Sequence, residues 1–385
     1  MKHILAVTGI RSEYDILSSV FKAITARKDL KLSLIVTGAH LSKKFGYTID
    51  EIKKDGFNII ACIESLIDSD ADVDRLKGAA IQLKGLAETV DRVRPDLILA
   101  FGDREEAITT ALTGNYLNIP VVHISGGDRV IGNVDDQIRH AVTKLSHFHL
   151  TTNEESFERI LKMGEQEFRV FNVGHPGLDR IASEPQMSKQ ELLSWYGFES
   201  NDTTSKLLVV IQHVISTEIN ESYSQMKKTM EAILSLKLNT VISYPNSDAG
   251  SLSLIKCIEE YRHLPFIKIH KNVPRFQFVN TLRHASCLVG NSSAGLMEAP
   301  FLKLAVVNVG NRQLGRLHAM NVEFVPHDQN GIKKAIQKAC HDKDYQKKLL
   351  QCPSPYGDGR ASEKIADFFS NLKLDQKVLL KDSTY

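Results

Sequence analysis

The chain has no apolar run near the roughly 18 residues that a membrane span demands, and the run inside MKHILAVTGIRSEYD is only about six residues long. That run reads as a buried first strand rather than a leader or anchor. Charge of one sign is also missing. The net charge is +2, from 48 basic and 46 acidic side chains. No global field exists to gather nucleic acid or an anionic membrane, although a few cations can still be concentrated in one anion site. Cysteine is sparse, odd in number and scattered: Cys62, Cys257, Cys287, Cys340 and Cys352. No pair has CxxC spacing and no metal-ligand spacing is visible. Reduced thiols in a cytoplasmic protein are the simplest reading. Low-complexity tracts and short repeats are absent, as are GxGxxG and Walker loops. These absences exclude membrane, nucleic-acid, disulfide-scaffold and metal classes, and leave a soluble α/β protein.

At 385 residues the chain is too long for one ordinary core and comfortable for two. Strand candidates in the first half are 3–8, 32–37, 58–63, 97–101, 120–124, 147–151 and 170–174. Helix-like segments 15–26, 74–94, 104–117 and 154–163 lie between them. A polar stretch at 183–205 follows. The pattern then restarts at 207–211, 239–243, 266–270, 286–290 and 304–309. Continuous apolar strands alternating with helices indicate parallel sheets covered on both faces. The predicted domains are 1–180 and 181–365, with a terminal helix fraying into a tail at 366–385. Such sheets bind ligands at the carboxyl ends of their strands, so the residues just after strands carry the information.

Six such places stand out. Thr8-Gly9-Ile10-Arg11-Ser12-Glu13-Tyr14-Asp15 offers a tight turn, a cap candidate in Ser12 and an arginine for a phosphate, or simply a plain turn. Gly102-Asp103-Arg104-Glu105 places a charged pair after a buried strand, unless Asp103 is only a helix cap. His123-Ile124-Ser125-Gly126-Gly127-Asp128 precedes Asn133 to His140, where Asp135 and Arg139 share a helix face as site groups or as an i,i+4 pair. Gln212-His213 ends the first strand of the second half, where a lone histidine is often only structural. In Gly290-Asn291-Ser292-Ser293, a strand runs into small residues at a helix start. Hydroxyls, amides and dipole there suit a phosphate, and Glu298 a turn later suits ribose hydroxyls. Gly310-Asn311-Arg312-Gln313-Leu314-Gly315-Arg316 adds two arginines suited to a diphosphate, or to a basic surface turn.

Singly these are weak signals. In order and wording, TGIRSEYD, VTGAHLSKKFGYT, GDREE, HISGGD, DDQIRHAVTKLSHFHL, VGHPGLD, YPNSDAGS, VGNSSAGLMEAP and GNRQLGR resemble the hydrolysing UDP-N-acetylglucosamine 2-epimerases of sialic and related nonulosonic acid synthesis. The resemblance spans nearly the whole chain. It implies two Rossmann-like doubly wound domains facing a central cleft, as in GT-B glycosyltransferases, assembled as a homodimer or homotetramer. It implies a UDP-sugar substrate, UDP as product, and no cofactor or metal. UDP leaves C1 in an anti elimination that removes the C2 proton; water then adds at C1 of the 2-acetamidoglycal, with protonation at C2 from the other face. By the same resemblance Asp103 and Asp135 match acid/base carboxylates, and Arg139 and His213 other sugar-proximal groups. Arg11, Ser292, Ser293 and Arg312 match diphosphate contacts and Glu298 the ribose contact. Val273 and Phe278, in NVPRFQF, match a uracil-binding segment, with His40 and Asn246 as further contacts.

Two departures stand out. Ser125 replaces the glutamate of members that read HIEGGE, and other members have histidine there. Asp128 or Asp135 then carries more of the proton transfer, and the accepted sugar can differ, as in the sister branch acting on UDP-N,N'-diacetylbacillosamine. Val214 follows His213 where members often have proline. Two other classes stay open on the residues alone: a GT-B glycosyltransferase, which needs no C2 base, and a non-catalytic UDP-sugar binder.

Overall fold

The protein is described here from a computed structural model that covers all residues except 69–71, 130–133, 199–203, 247–249 and 385. Asn133 of the third motif, Ser247, Asp248 and Ala249 of YPNSDAGS, and residues 199–203 of the polar stretch lie outside the described residues. The chain forms two compact units, Met1–Ala182 with Tyr356–Tyr385, and Ser183–Pro355.

The first unit is built on a seven-stranded sheet. Its strands are β1 (Lys2–Thr8), β2 (Leu30–Thr37), β3 (Ile59–Ile63), β4 (Leu97–Phe101), β5 (Val121–Ile124), β6 (Phe148–Thr151) and β7 (Val170–Asn172). Their order is β3-β2-β1-β4-β5-β6-β7, and every pairing is parallel. Alternation along β1 explains the two apolar faces. Ile4 and Ala6 join Leu17, Phe21 and Ile24 of helix Arg11–Thr25, while Leu5 and Val7 join Leu86 and Val90 of helix Asp72–Val93. The strand order reverses between β1 and β4, so the ends of those strands splay apart into a binding crevice.

The second unit repeats the scheme with β8 (Leu207–Ile211), β9 (Asn239–Ser243), β10 (Ile267–His270), β11 (Cys287–Gly290), β12 (Val306–Val309) and β13 (Val322–Val325). Their order is β10-β9-β8-β11-β12-β13, again all parallel. Leu208 and Val210 face one cluster, Val209 and Ile211 the other. The reversal falls between β8 and β11. Gly290 sits there at φ 129°, and a Cβ on it would meet the Ile211 carbonyl oxygen at 2.2 Å. Only glycine lets the two strand ends approach this closely.

The structure differs from the sequence pattern at three places. Strand β13 has no counterpart in it, because Glu323 breaks the apolar run of a half-buried edge strand. Helix Arg11–Thr25 starts at Arg11 with Ile10 as its cap, so Ser12 lies inside the first turn and caps nothing. The C-terminal segment belongs with the first unit from Tyr356 onward, not with the second up to residue 365. Helix Ala361–Asn371 buries Ile365 and Phe369 against the Leu17 and Phe21 face, and Asp179 accepts the Ala361 and Ser362 amides at 2.9 and 2.5 Å. Among the described residues no helix is long and apolar enough to cross a membrane. All five cysteines are free thiols.

Candidate active site

At the β1–β4 reversal two carboxyls are buried side by side. A Cβ on Gly9 would lie 1.9 Å from Glu106 Oε1, and one on Gly38 3.0 Å from the same atom. Glycine at both positions makes the space that the Glu106 carboxyl fills. Glu13 lies nearby, only 8% exposed. Burial first, and then the charge of Glu106, pushes the Glu13 carboxyl well above the ordinary range. Burial also raises Glu106, against the pull of Arg104, whose Nε lies 3.3 Å from its Oε2. Neither glutamate was singled out by sequence. Their signal was an acid in the first turn after a strand, in TGIRSE and in GDREE.

Just after β4, Asp103 pairs with Arg139. The Arg139 guanidinium also donates to the Ser125 carbonyl at 3.0 Å and lies 3.5 Å from Asp128. Arg139 therefore does not make an i,i+4 pair with Asp135. It ties the ends of β4 and β5 to helix Val134–Leu145. Asp135, in the first turn of that helix, is instead 3.3 Å from Arg75, which also holds Glu105 at 2.8 Å. Asp128 accepts hydrogen bonds from Thr152 (3.1 Å), Asn153 (3.1 Å) and Ser156 (2.5 Å). Its lone pairs thus hold the Gly126–Gly127 turn to helix Glu154–Lys162. Ser125 is buried at φ 65°, and its hydroxyl has no hydrogen-bond partner among the described residues. A cavity of about 320 Å³ lies beside this cluster, lined among others by Gly38, Ala39, Ser65, Arg75, Arg104 and Glu105. That volume lies at the small end of the range for small-ligand sites.

Two further first-unit candidates are His40 and Arg11. His40 is fully buried, with Thr8 Oγ1 at 3.1 Å from Nε2 and Thr48 Oγ1 at 2.6 Å from Nδ1. Burial lowers it to about 4, and the neutral ring links β1 to the loop after β2. Arg11 is mostly exposed and lies 3.6 Å from Glu51.

In the second unit, the fully buried Asn291 organises the strand ends. Its side chain accepts the His213 amide at 2.7 Å and donates to the His213 carbonyl at 2.9 Å. Its own carbonyl receives Arg312 Nη1 at 3.2 Å and Gln313 Nε2 at 2.9 Å. Asn291, quoted only as part of a motif by sequence, is thus the bracket of this site. The Asn246 amide donates to His213 Nδ1 at 3.1 Å. The proton of the neutral His213 ring therefore sits on Nε2. Ser293 occupies the N-cap position of helix Ala294–Met297 without a side-chain cap bond, and Ser292 Oγ accepts the Ala294 amide at 3.3 Å. That helix has four residues, too few for a useful macrodipole. What this segment presents is hydroxyls, loop amides and the Arg312 side chain. Glu298 closes the turn, raised by burial and pulled back by Arg275. Val273 packs on the Tyr196 and Phe198 cluster and Phe278 on Val209 and Ile211. Val214 is buried in the core.

Comparison with known proteins decides the lineage. The family model described as UDP-N-acetylglucosamine 2-epimerase matches residues 22–370. The chain belongs to this UDP-N-acetylglucosamine 2-epimerase family. It is 34% identical over 385 residues to a Legionella pneumophila UDP-N,N'-diacetylbacillosamine 2-epimerase (hydrolyzing), covering 100% of each chain. It is 31% identical over 388 residues to polysialic acid biosynthesis protein P7 of Escherichia coli, covering 98% of this chain and 97% of that one. The fold resembles that of the Neisseria meningitidis UDP-GlcNAc 2-epimerase solved with UDP-GlcNAc bound, with TM-score 0.77, 17% identity, and coverage of 95% of this chain and 99% of that one. The two Rossmann-like domains of the GT-B kind expected from sequence are the fold observed in this epimerase family member.

Proposed function

We propose that this epimerase-family chain is a hydrolysing UDP-N-acetylglucosamine 2-epimerase that releases UDP and N-acetylmannosamine for sialic-acid-type synthesis. The observation that carries the reading is the Arg139-organised acid cluster of the first unit. A binder or a glycosyltransferase has no use for carboxylates poised as C2 bases. A C2–H beside an acetamido carbon is a poor acid, so its removal must be coupled to departure of a stabilised diphosphate. Ser292, Ser293 and Arg312 are assigned to that diphosphate, Glu298 to the ribose, and 273–278 to the uracil. Asp103 and Asp135 are assigned to the C2 proton. The carboxylate takes the proton, the C2–H electron pair forms the C1–C2 double bond, and the C1–O bond breaks with its electrons leaving on UDP. Water then adds at C1, and a proton returns to C2 from the other face. Arg139 fixes Asp103, and the neutral His213 offers its Nε2 proton to the sugar or leaving group. Arg11 is assigned to the diphosphate as well, with His40 and Asn246 as further substrate contacts.

A second reading has its own support: the same reaction on UDP-N,N'-diacetylbacillosamine. The relative named for that substrate matches end to end, and Ser125 supplies a smaller side chain than glutamate where the first-unit acids converge. Incubating the protein with each UDP-sugar side by side in deuterated water tests both. Deuterium at C2 of the released sugar, together with UDP, is expected. UDP release without deuterium at C2 would sink the reading. We assign the protein to the cytoplasm. Self-association into a dimer or tetramer is assigned to the exposed apolar side chains Val73, Leu76 and Ile81 of helix Asp72–Val93; sedimentation of Leu76→Glu against wild type tests that.

A further inference from the structure

The end of the chain is strapped down. Lys381 Nζ lies 2.7 Å from Glu165 Oε2, 2.7 Å from the carbonyls of Lys144 and Ser146, and 3.3 Å from that of Thr143. Asn115 Nδ2 takes the Leu145 carbonyl at 2.6 Å. Side chains from outside helix Val134–Leu145 thus take up the Thr143, Lys144 and Leu145 carbonyls at its end. A cation at this end also suits the helix dipole.

The strap is itself anchored. The buried Arg169 donates to the carbonyls of Val378 (2.9 Å), Leu380 (2.9 Å) and Lys377 (3.3 Å). The Thr384 amide donates to the Gly164 carbonyl at 3.1 Å. Val378 is buried in the same cluster as Ile365 and Phe369. Glu165 is fully buried and faces His149 at 3.0 Å and Lys144 at 2.8 Å besides Lys381. Burial alone would raise this carboxyl; the hydrogen bonds from His149, Lys144 and Lys381 outweigh it and hold it at about 2. Removing Lys381 strips one of its two ammonium partners.

Helix Val134–Leu145 carries Asp135 in its first turn and Arg139 one turn later. Arg139 stands about 9 Å along the axis from Leu145, so a helix loosened at its end swings the side chains at its start. We propose that Lys381 is a positioning residue: from the C-terminal strap it clamps the end of helix Val134–Leu145 and so sets where Arg139 and Asp135 stand. The activity readout of this inference rests on the epimerase reading, and its structural readout does not.

The test compares Lys381→Met and Lys381→Arg with wild type in steady-state turnover of both UDP-sugars and in amide exchange across residues 139–146. Lys381→Met is expected to lower kcat about tenfold with KM within about twofold, because a misplaced acid costs rate while the nucleotide contacts are assigned elsewhere. Exchange in 139–146 rises, and Lys381→Arg recovers most of both. Should Lys381→Met not fold, Lys381→Gln, which keeps a donor and drops the charge, is read the same way. Wild-type kcat with wild-type exchange overturns the clamp. So does a fall in kcat that Lys381→Arg does not restore. If the wild-type protein turns over neither sugar, the proposed activity fails, and exchange alone decides: unchanged protection overturns the clamp and faster exchange upholds it.

Discussion

Arg139 donates to the carboxylate of Asp103, 36 residues earlier in the chain. That pair joins helix Val134–Leu145 to the end of β4, and its two side chains are only 10% and 19% exposed. Truncating one partner leaves the other charge buried. Arg139→Met is expected to destabilise the protein by about 3 kcal/mol, read from urea unfolding. Asp103→Asn keeps the shape and removes the base. It should cut kcat by about a thousandfold while calorimetric UDP affinity stays near wild type. An Asp103→Asn variant with wild-type kcat would remove Asp103 from the chemistry.

Glu13 and Glu106 predict a pH signature. Both carboxyls are raised in the folded state, chiefly by burial. A group raised on folding holds its proton more tightly in the folded chain. Its contribution is therefore full below the unfolded carboxylate value and is lost as pH climbs through the raised value. Glu106→Gln stays neutral throughout. The difference in Tm between Glu106→Gln and wild type should move in favour of the variant from about pH 5 to about pH 8, measured by calorimetry. A difference that does not change with pH would mean that these carboxyls ionise as ordinary surface acids do.

Ser125 tests whether its hydroxyl takes part in the reaction. The residue holds a left-handed φ of 65°, and its buried Oγ has no partner among the described residues. Glycine accepts that conformation and removes the orphan hydroxyl. Ser125→Gly should stay within about 1 kcal/mol of wild type and keep its turnover. A large loss of kcat at unchanged stability would assign the hydroxyl a chemical role.

The phosphate loop makes two separable predictions. Ser292→Ala with Ser293→Ala should weaken UDP binding about tenfold, the loss of one to two hydrogen bonds to a charged group, read by calorimetry. Gly290→Ala acts on the fold instead. Its Cβ would meet the Ile211 carbonyl oxygen at 2.2 Å in a left-handed backbone. About 3 kcal/mol of stability should go, detectable as a lower Tm with or without UDP.

Much of this was legible in the residues. Runs such as HILAVT and LLVVI carry apolar side chains on both faces, so the parallel sheets and their helices follow from local pattern. Strand-end glycines and polar residues then mark the site, because an open α/β sheet has one edge where ligands bind. What the pattern could not carry was which side chains meet there. His40 is a contact candidate by resemblance, and only the fold shows that Thr8 and Thr48 take both its nitrogens. Arg139 reads as a site group on one helix face with Asp135 or as its i,i+4 partner, and only the fold shows that it pairs with Asp103. The tail read as frayed because KDSTY is polar, although Lys381 is drawn in by Glu165, far upstream in the chain.

Periodicity and turn chemistry are local properties, written in neighbours three or four positions apart, and they determine elements, layers and the edge on which chemistry can occur. Partners in a buried charge cluster are chosen by strand order and by the crossover that carries each helix back over the sheet. Only the folded chain could bring Glu106 into the space left by Gly9 and Gly38, or Lys381 to the end of the Arg139 helix, because those contacts stabilise the protein only after both segments have lost contact with water.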